Sequence, residues 1–153
     1  IQIIVKSNIT HMNTLDVCMT KIKQTTFDKN GVHINCEWEA LEVLNIQSIR
    51  GCMFSIDKGC FTHWFDSNVN RIPTERTSVS NVNDNVSLDS NVVDIHYVGD
   101  VSVHHWCERK GTGDNTLVLD YGTRYKSYFT CYDGHTTTVG EKLSCVNHFN
   151  IEY

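Results

Sequence analysis

The sequence predicts an all-β protein: a disulfide-stapled antiparallel β-sandwich with long connecting loops, one domain over residues 1–153. Three observations predict it. The composition is poor in strong helix formers, with Ala40 and Pro73 the only residues of their kinds, and rich in Asn, Asp, Ser, Thr and Val. Short stretches alternate apolar and polar residues and are separated by Asn-Gly, Asp-Gly and Gly-Asp turn signals. Seven cysteines are scattered through these stretches without C-x-x-C spacing.

The segment Gly51 to Phe65 anchors this reading. Phe54 and Ile56 alternate with Ser55 and Asp57, the period of a half-buried strand, between Cys52 and Cys60. A strand of that length holds its ends too far apart for a mutual bridge, so each cysteine is expected to pair elsewhere. Trp64 and Phe65 read either as core plugs behind the staple or as exposed contact aromatics.

Along the chain, Ile1 to Val5 reads as a strand, and Thr14 to Lys23 stays open between a helical turn and a strand through Cys18. Asn30-Gly31 signals a hairpin. Val32, Ile34, Cys36 and Trp38 then share one face, with His33, Asn35 and Glu37 on the other. Glu39 to Leu44 is the best helical stretch, but short enough to continue the strand or form one turn. Ser67 to Ser90 reads as a long polar connector of mobile or functional kind. Strands are expected again over Val92 to Val98, Val101 to Cys107, Thr116 to Tyr121, Tyr125 to Cys131 and Leu143 to Ile151. Asp133-Gly134 is expected to turn the chain.

Cys18, Cys36, Cys52, Cys60, Cys107, Cys131 and Cys145 all read as disulfide candidates, which implies a secreted or ER-lumenal protein. Sequons at Asn8 and Asn85 agree as glycosylation sites. Ile1 reads as the start of a processed or trimmed chain. A net charge of −5 argues against a nucleic-acid binder. No apolar run is long enough for a membrane span.

The strongest electrostatic feature is Thr77 to Cys107, free of Lys and Arg and carrying Asp84, Asp89, Asp94 and Asp100, with Glu108 following. Such a field steers a basic ligand, or simply solvates a loop. His104 and His105 are adjacent, so on a strand they face opposite ways and cannot share an ion; no metal and no cofactor are expected. His33 and His96 are placed on outer strand faces. No nucleophile, zinc or phosphate-loop motif occurs, so no enzyme is expected. Asp57, His63 and Asp66 could line a cleft in a small secreted hydrolase.

Gly31-Val32-His33-Ile34-Asn35, then Cys52-x-x-Ser55-Ile56-Asp57-x-x-Cys60, then Val98-Gly99-Asp100, together resemble the secreted poxvirus immune-evasion domain of the viral CC-chemokine inhibitor and of viral TNF receptors. Val101 stands where the last run has cysteine. The resemblance implies a disulfide-bonded β-sandwich that sequesters a host immune protein: a chemokine first, class I MHC or a cytokine second. A cellular immunoglobulin-like receptor ectodomain is the alternative from another class, on the order of Cys52, Trp64 and Cys107.

Overall fold

In a computed structural model, residues 1–51, 53–66, 71–73, 84–88, 94–111, 113, 116–120 and 124–152 are described. Among them are thirteen strands: β1 (Gln2–Thr10), β2 (Val17–Asp28), β3 (Gly31–Ala40), β4 (Asn45–Arg50), β5 (Phe54–Asp57), β6 (His63–Asp66), β7 (Arg71–Pro73), β8 (Asp84–Leu88), β9 (Asp94–Val98), β10 (Ser102–Arg109), β11 (Thr116–Asp120), β12 (Arg124–Thr136) and β13 (Lys142–Glu152). A single 3-10 turn, Lys58–Cys60, is the only helical piece among the described residues. All pairings are antiparallel. They build one sheet in the order β1-β2-β3-β13-β10-β9-β6-β7 and another in the order β4-β12-β11-β8, with β5 also on β12.

The period-2 pattern decides which side chains go inward. Cys36, Trp38 and Ala40 of β3 are buried, as are Leu143, Cys145, Asn147 and Phe149 of β13. Val103, His105 and Cys107 of β10 and Ile95 and Tyr97 of β9 continue the same face. From the second sheet, Phe54 meets Tyr97, His105 and Phe149 at ring separations of 5.6, 5.6 and 5.2 Å. Phe129 lies edge-on to His105 at 4.7 Å. Each such apolar side chain contributes about 1.5–3 kcal/mol by leaving water. Trp64 is fully buried, whereas Phe65 turns outward, half-buried against His63.

The Asn30-Gly31 hairpin forms as its residues require. Gly31 has φ of 124°, and a Cβ there would come within 2.1 Å of the Phe149 carbonyl oxygen, so only glycine fits. Asp28 accepts from the Asn30 backbone N–H at 2.7 Å and closes the turn.

Several expectations are corrected. No disulfide joins the described cysteines: Cys18, Cys36, Cys60, Cys107, Cys131 and Cys145 are not bridged, and Cys52 lies outside the described residues. Cys60 is exposed on the 3-10 turn. Cys107 and Cys131 approach only to 3.8 Å between sulfurs, well beyond a bond of about 2.05 Å. Hydrogen bonds with Cys131 and Cys36, and then burial, push the Cys145 thiol up, so it stays protonated. The buried thiols of Cys18, Cys36, Cys107, Cys131 and Cys145 behave as small core side chains.

Residues 39–44 form no helix: β3 runs through Ala40, and the chain then turns into β4. Part of the expected long connector is strand, in β7 and β8; the rest of Ser67 to Ser90 lies outside the described residues. The Asp133-Gly134 signal is overridden. β12 runs on through Gly134 at φ of 58° because residues 130–136 pair with β4, with a register shift at Thr130/Tyr132. β1 extends past Val5 to Thr10 and keeps Ile3, Ile4 and Val5 exposed at the sheet edge.

His105 is an imidazole buried between the sheets. It contacts Ser127 Oγ at 2.9 Å and Asn147 Oδ1 at 3.4 Å and stacks on Phe149 at 4.4 Å. Burial pushes its pKa down to about 3 from 6.5. In the unfolded chain the imidazole takes a proton near 6.5, so folding stability is complete above that pH and falls as pH drops toward about 3. Wild type is expected to lose about 2 kcal/mol more than His105→Asn between pH 7 and pH 5, from about 1.4 kcal/mol per pH unit below 6.5. Urea unfolding of both proteins at the two pH values measures it; equal losses would show that His105 is not held neutral.

Candidate functional site

The outward face of the larger sheet carries the chemistry. Strand register lines up His33 of β3, His148 of β13, Trp106 of β10 and Asp94 of β9 straight across four strands. Two residues further along, His104 of β10 faces His96 of β9, which faces Phe65 of β6. Side chains two apart on a strand share a face, so His104, Trp106 and Glu108 all point outward together.

The rings touch in sequence. His33 and His148 meet edge to face with their Nδ1 atoms 2.7 Å apart. His148 stacks on the Trp106 indole at 4.8 Å and 11°. Trp106 leans on His104 at 4.5 Å, and His104 stacks on His96 at 3.7 Å.

Carboxylates close both ends of the first pair. Asp28 Oδ1 lies 3.2 Å from His33 Nε2, and Glu108 Oε1 lies 3.2 Å from His148 Nε2. The run Asp28–His33–His148–Glu108 has three contacts, each needing one proton. Two neutral imidazoles carry only two. The run is therefore fully bonded when the two rings hold one proton beyond neutrality, a proton they can pass between them.

Local fields set the roles. Lys110, 3.3 Å away, is the largest influence holding the Glu108 carboxyl below its ordinary range, and His148 adds to it. Glu108 therefore stays ionised, a base. Burial is the main cause lowering the His148 pKa; Glu108 opposes it, and His33 reinforces it. His104 is also lowered, by burial and then by His96, against the pull of Asp94. Asp28 is lowered first by the Asn30 backbone hydrogen bond.

The acidic residues singled out in the sequence do not form one face. Asp94 and Glu108 lie on the outward face described above, and Asp100 is exposed in the turn between β9 and β10. Asp84 belongs to β8 in the other sheet, opposite Asp120, and Asp89 lies outside the described residues. Asn8 is exposed on β1, and Asn85 sits on β8. Asp57 and His63 are on strands of different sheets, and Asp57 Oδ1 accepts the Gly59 N–H at 2.8 Å. His105 points inward while His104 points outward.

His148 and Trp106 were not singled out by sequence reasoning. The readable signal was the run His104-x-Trp106-x-Glu108, an imidazole, an aromatic plate and a carboxylate at strand period. Near Asp28, a cleft of about 510 Å³ opens among Val32, Ile34, Met53, Phe54, Val103 and Phe149. Its lining is mainly apolar, with Asp28, Lys29 and Asn150 as its polar side chains.

No known family profile matches the chain, and no curated protein matches it. Solved structures do. A galactose mutarotase-like protein from Lactobacillus casei ATCC 334 superposes with a TM-score of 0.63 at 8% identity, over 99% of this chain and 70% of that one. A putative aldose 1-epimerase from Escherichia coli K12 gives 0.60 at 4% identity, over 99% and 65%. The Slr1438 protein from Synechocystis sp. PCC 6803 gives 0.53 at 10% identity, over 99% and 61%. At such identities the likeness is one of fold, and this chain spans only about two-thirds of those chains' length.

That likeness corrects the family reading. The fold is that of mutarotase-like proteins and not of the poxvirus immune-evasion domain, whose resemblance rested on short motifs in Asn- and Ser-rich sequence. The host-protein partners drawn from it, a chemokine, class I MHC or a cytokine, fall with it, as does the immunoglobulin-like ectodomain. The expectation of a non-enzyme is overturned too, since two of these structures carry enzyme names; the hydrolase alternative gains nothing from them.

The field assignments can be checked directly. Because Glu108 raises the His148 pKa, Glu108→Gln should lower it further. An NMR titration of the imidazole signals should show the His148 midpoint falling; a midpoint that rises or stays put would break the pair.

Proposed function

We propose that residues 1–153 form a single β-sandwich domain, its sheets closed on the Phe54 and His105 contacts, and that the outward face of the larger sheet binds an aldose sugar and interconverts its anomers. The observation that carries this is the His148–Glu108 pair, an acid and a base 3.2 Å apart on that face, with the His148 ring held by its stacking on Trp106. Polar groups so placed can fix the orientation of a sugar. The fold shared with mutarotase-like proteins supports the same class of ligand.

The chemistry needs one acid and one base close together. The hydroxyl O1 and the ring O5 of an aldose are bonded to the same carbon, C1. A base and an acid 3.2 Å apart therefore reach both. Glu108 removes the O1 proton while His148 donates a proton to O5; the C1–O5 bond breaks and C1=O1 forms. Rotation about C1–C2 presents the other face of the aldehyde. The reverse transfers close the ring as the other anomer and restore both groups, so no proton is gained or lost. The link to His33 refills His148 from the shared proton.

A sugar-binding domain without catalysis is the second reading, favoured by the 50% exposure of the Glu108 side chain, which leaves the base in water. Polarimetry starting from the α anomers of galactose and glucose separates the two. Saturable acceleration is expected. Glu108→Gln should cut kcat by about 10²–10⁴-fold, the usual worth of a positioned proton-transfer group. Trp106→Ala should weaken binding about tenfold, or about 1.4 kcal/mol. Binding without acceleration would leave the second reading, and absence of sugar binding would sink both.

A further inference from the structure

A second constellation on the same face is independent of the sugar reading. Asp94 and His96 stand two apart on β9, so both point outward, and His104 lies directly opposite His96 on β10. Asp94 Oδ2 is 3.4 Å from His104 Nε2 and 3.9 Å from His96 Nε2. One donor atom from each residue falls within 4.8 Å of the other two. A tetrahedral ion with bonds of about 2.1 Å spaces its ligands by about 3.4 Å, a small closure for side chains on two paired strands.

A separate observation points to an occupant. Asp94 Oδ1 is buried and has no hydrogen-bond partner among the described residues. A buried carboxylate oxygen left without a partner costs more than a neutral group in the same position. That orphan is not the oxygen facing the histidines, which is Oδ2; a cation held on Oδ2 would offset the charge of the half-buried carboxylate without bonding Oδ1 itself.

We propose that Asp94, His96 and His104 bind a divalent transition-metal ion of the zinc class. Two imidazoles and one carboxylate suit zinc, cobalt or nickel and do not suit calcium or magnesium, which take all-oxygen shells. Three protein ligands leave a coordination position open. It faces outward, next to Trp106, whose tilted contact at 4.5 Å orients the His104 ring. His11, Cys18 and Glu42 form the rival group. Its thiol is already directed to the Ile9 carbonyl at 3.4 Å, and its histidine and carboxylate pair on the surface.

Isothermal titration of the chelator-treated chain with zinc chloride tests the proposal, with circular dichroism confirming that each variant is folded. One equivalent should bind. Asp94→Asn and His104→Gln should each weaken it by more than about 100-fold, beyond the range usual for outer-shell changes. His11→Ala should leave it unchanged. Cobalt(II) loaded into wild type gives a reading that needs no variant. Visible d–d bands without a thiolate charge-transfer band are expected from nitrogen and oxygen ligands. No zinc binding, affinity that survives both ligand substitutions, or a thiolate band would each overturn the assignment.

Discussion

The two sheets are held in register by one neutral imidazole. His105 fills the space between them with ring contacts to Phe54, Phe129 and Phe149, and its nitrogens meet Ser127 and Asn147. The surrounding core consists mainly of apolar side chains and thiols, which pack but do not fix a unique lateral position. A directional polar group in that setting does, because a shift of either sheet would strand its nitrogens away from water. The outward face depends on the same strand. The residues flanking His105 on β10 are His104 and Trp106, so fixing one side of the ribbon fixes the other.

How much was legible follows from which forces are local. The β3 alternation and the Asn30-Gly31 hairpin were readable because neighbouring residues dictate them. The cysteines misled in a different way. A cysteine such as Cys36 or Cys145, on the apolar side of a strand, reads equally as a staple or as a small core side chain, and only distance decides. Glu39 to Leu44 has helix-forming residues but too few to nucleate, so pairing with β2 and β13 prevails. At Gly134 the turn signal is sound in isolation and loses to the pairing of β12 with β4.

The candidate site was less legible than the fold. His33 and His96 could each be placed on an outer face, yet nothing local says that β3 lies beside β13, or β13 beside β10. Those adjacencies turn scattered histidines into a continuous row. The acidic stretch shows the opposite error. Residues close in sequence were treated as one surface, whereas Asp84 and Asp94 belong to different sheets.

The placement of β13 between β3 and β10 has a consequence for how the chain acquires its structure. His33 and His148 are 115 residues apart in sequence, yet they touch. Contacts of that span close late, because the entropy of a long loop is spent before any contact rewards it. On a ribosome, β1, β2 and β3 can pair as soon as they emerge, but β3 then waits with its second edge open for β13. During that interval Ile3, Ile4 and Val5 are exposed at one side and an unfilled strand slot at the other, a combination that invites pairing with other chains. The contacts of His148 with His33 and Trp106 are thus absent until β13 takes its place, whereas His96, His104 and Trp106 need only the pairing of β9 with β10.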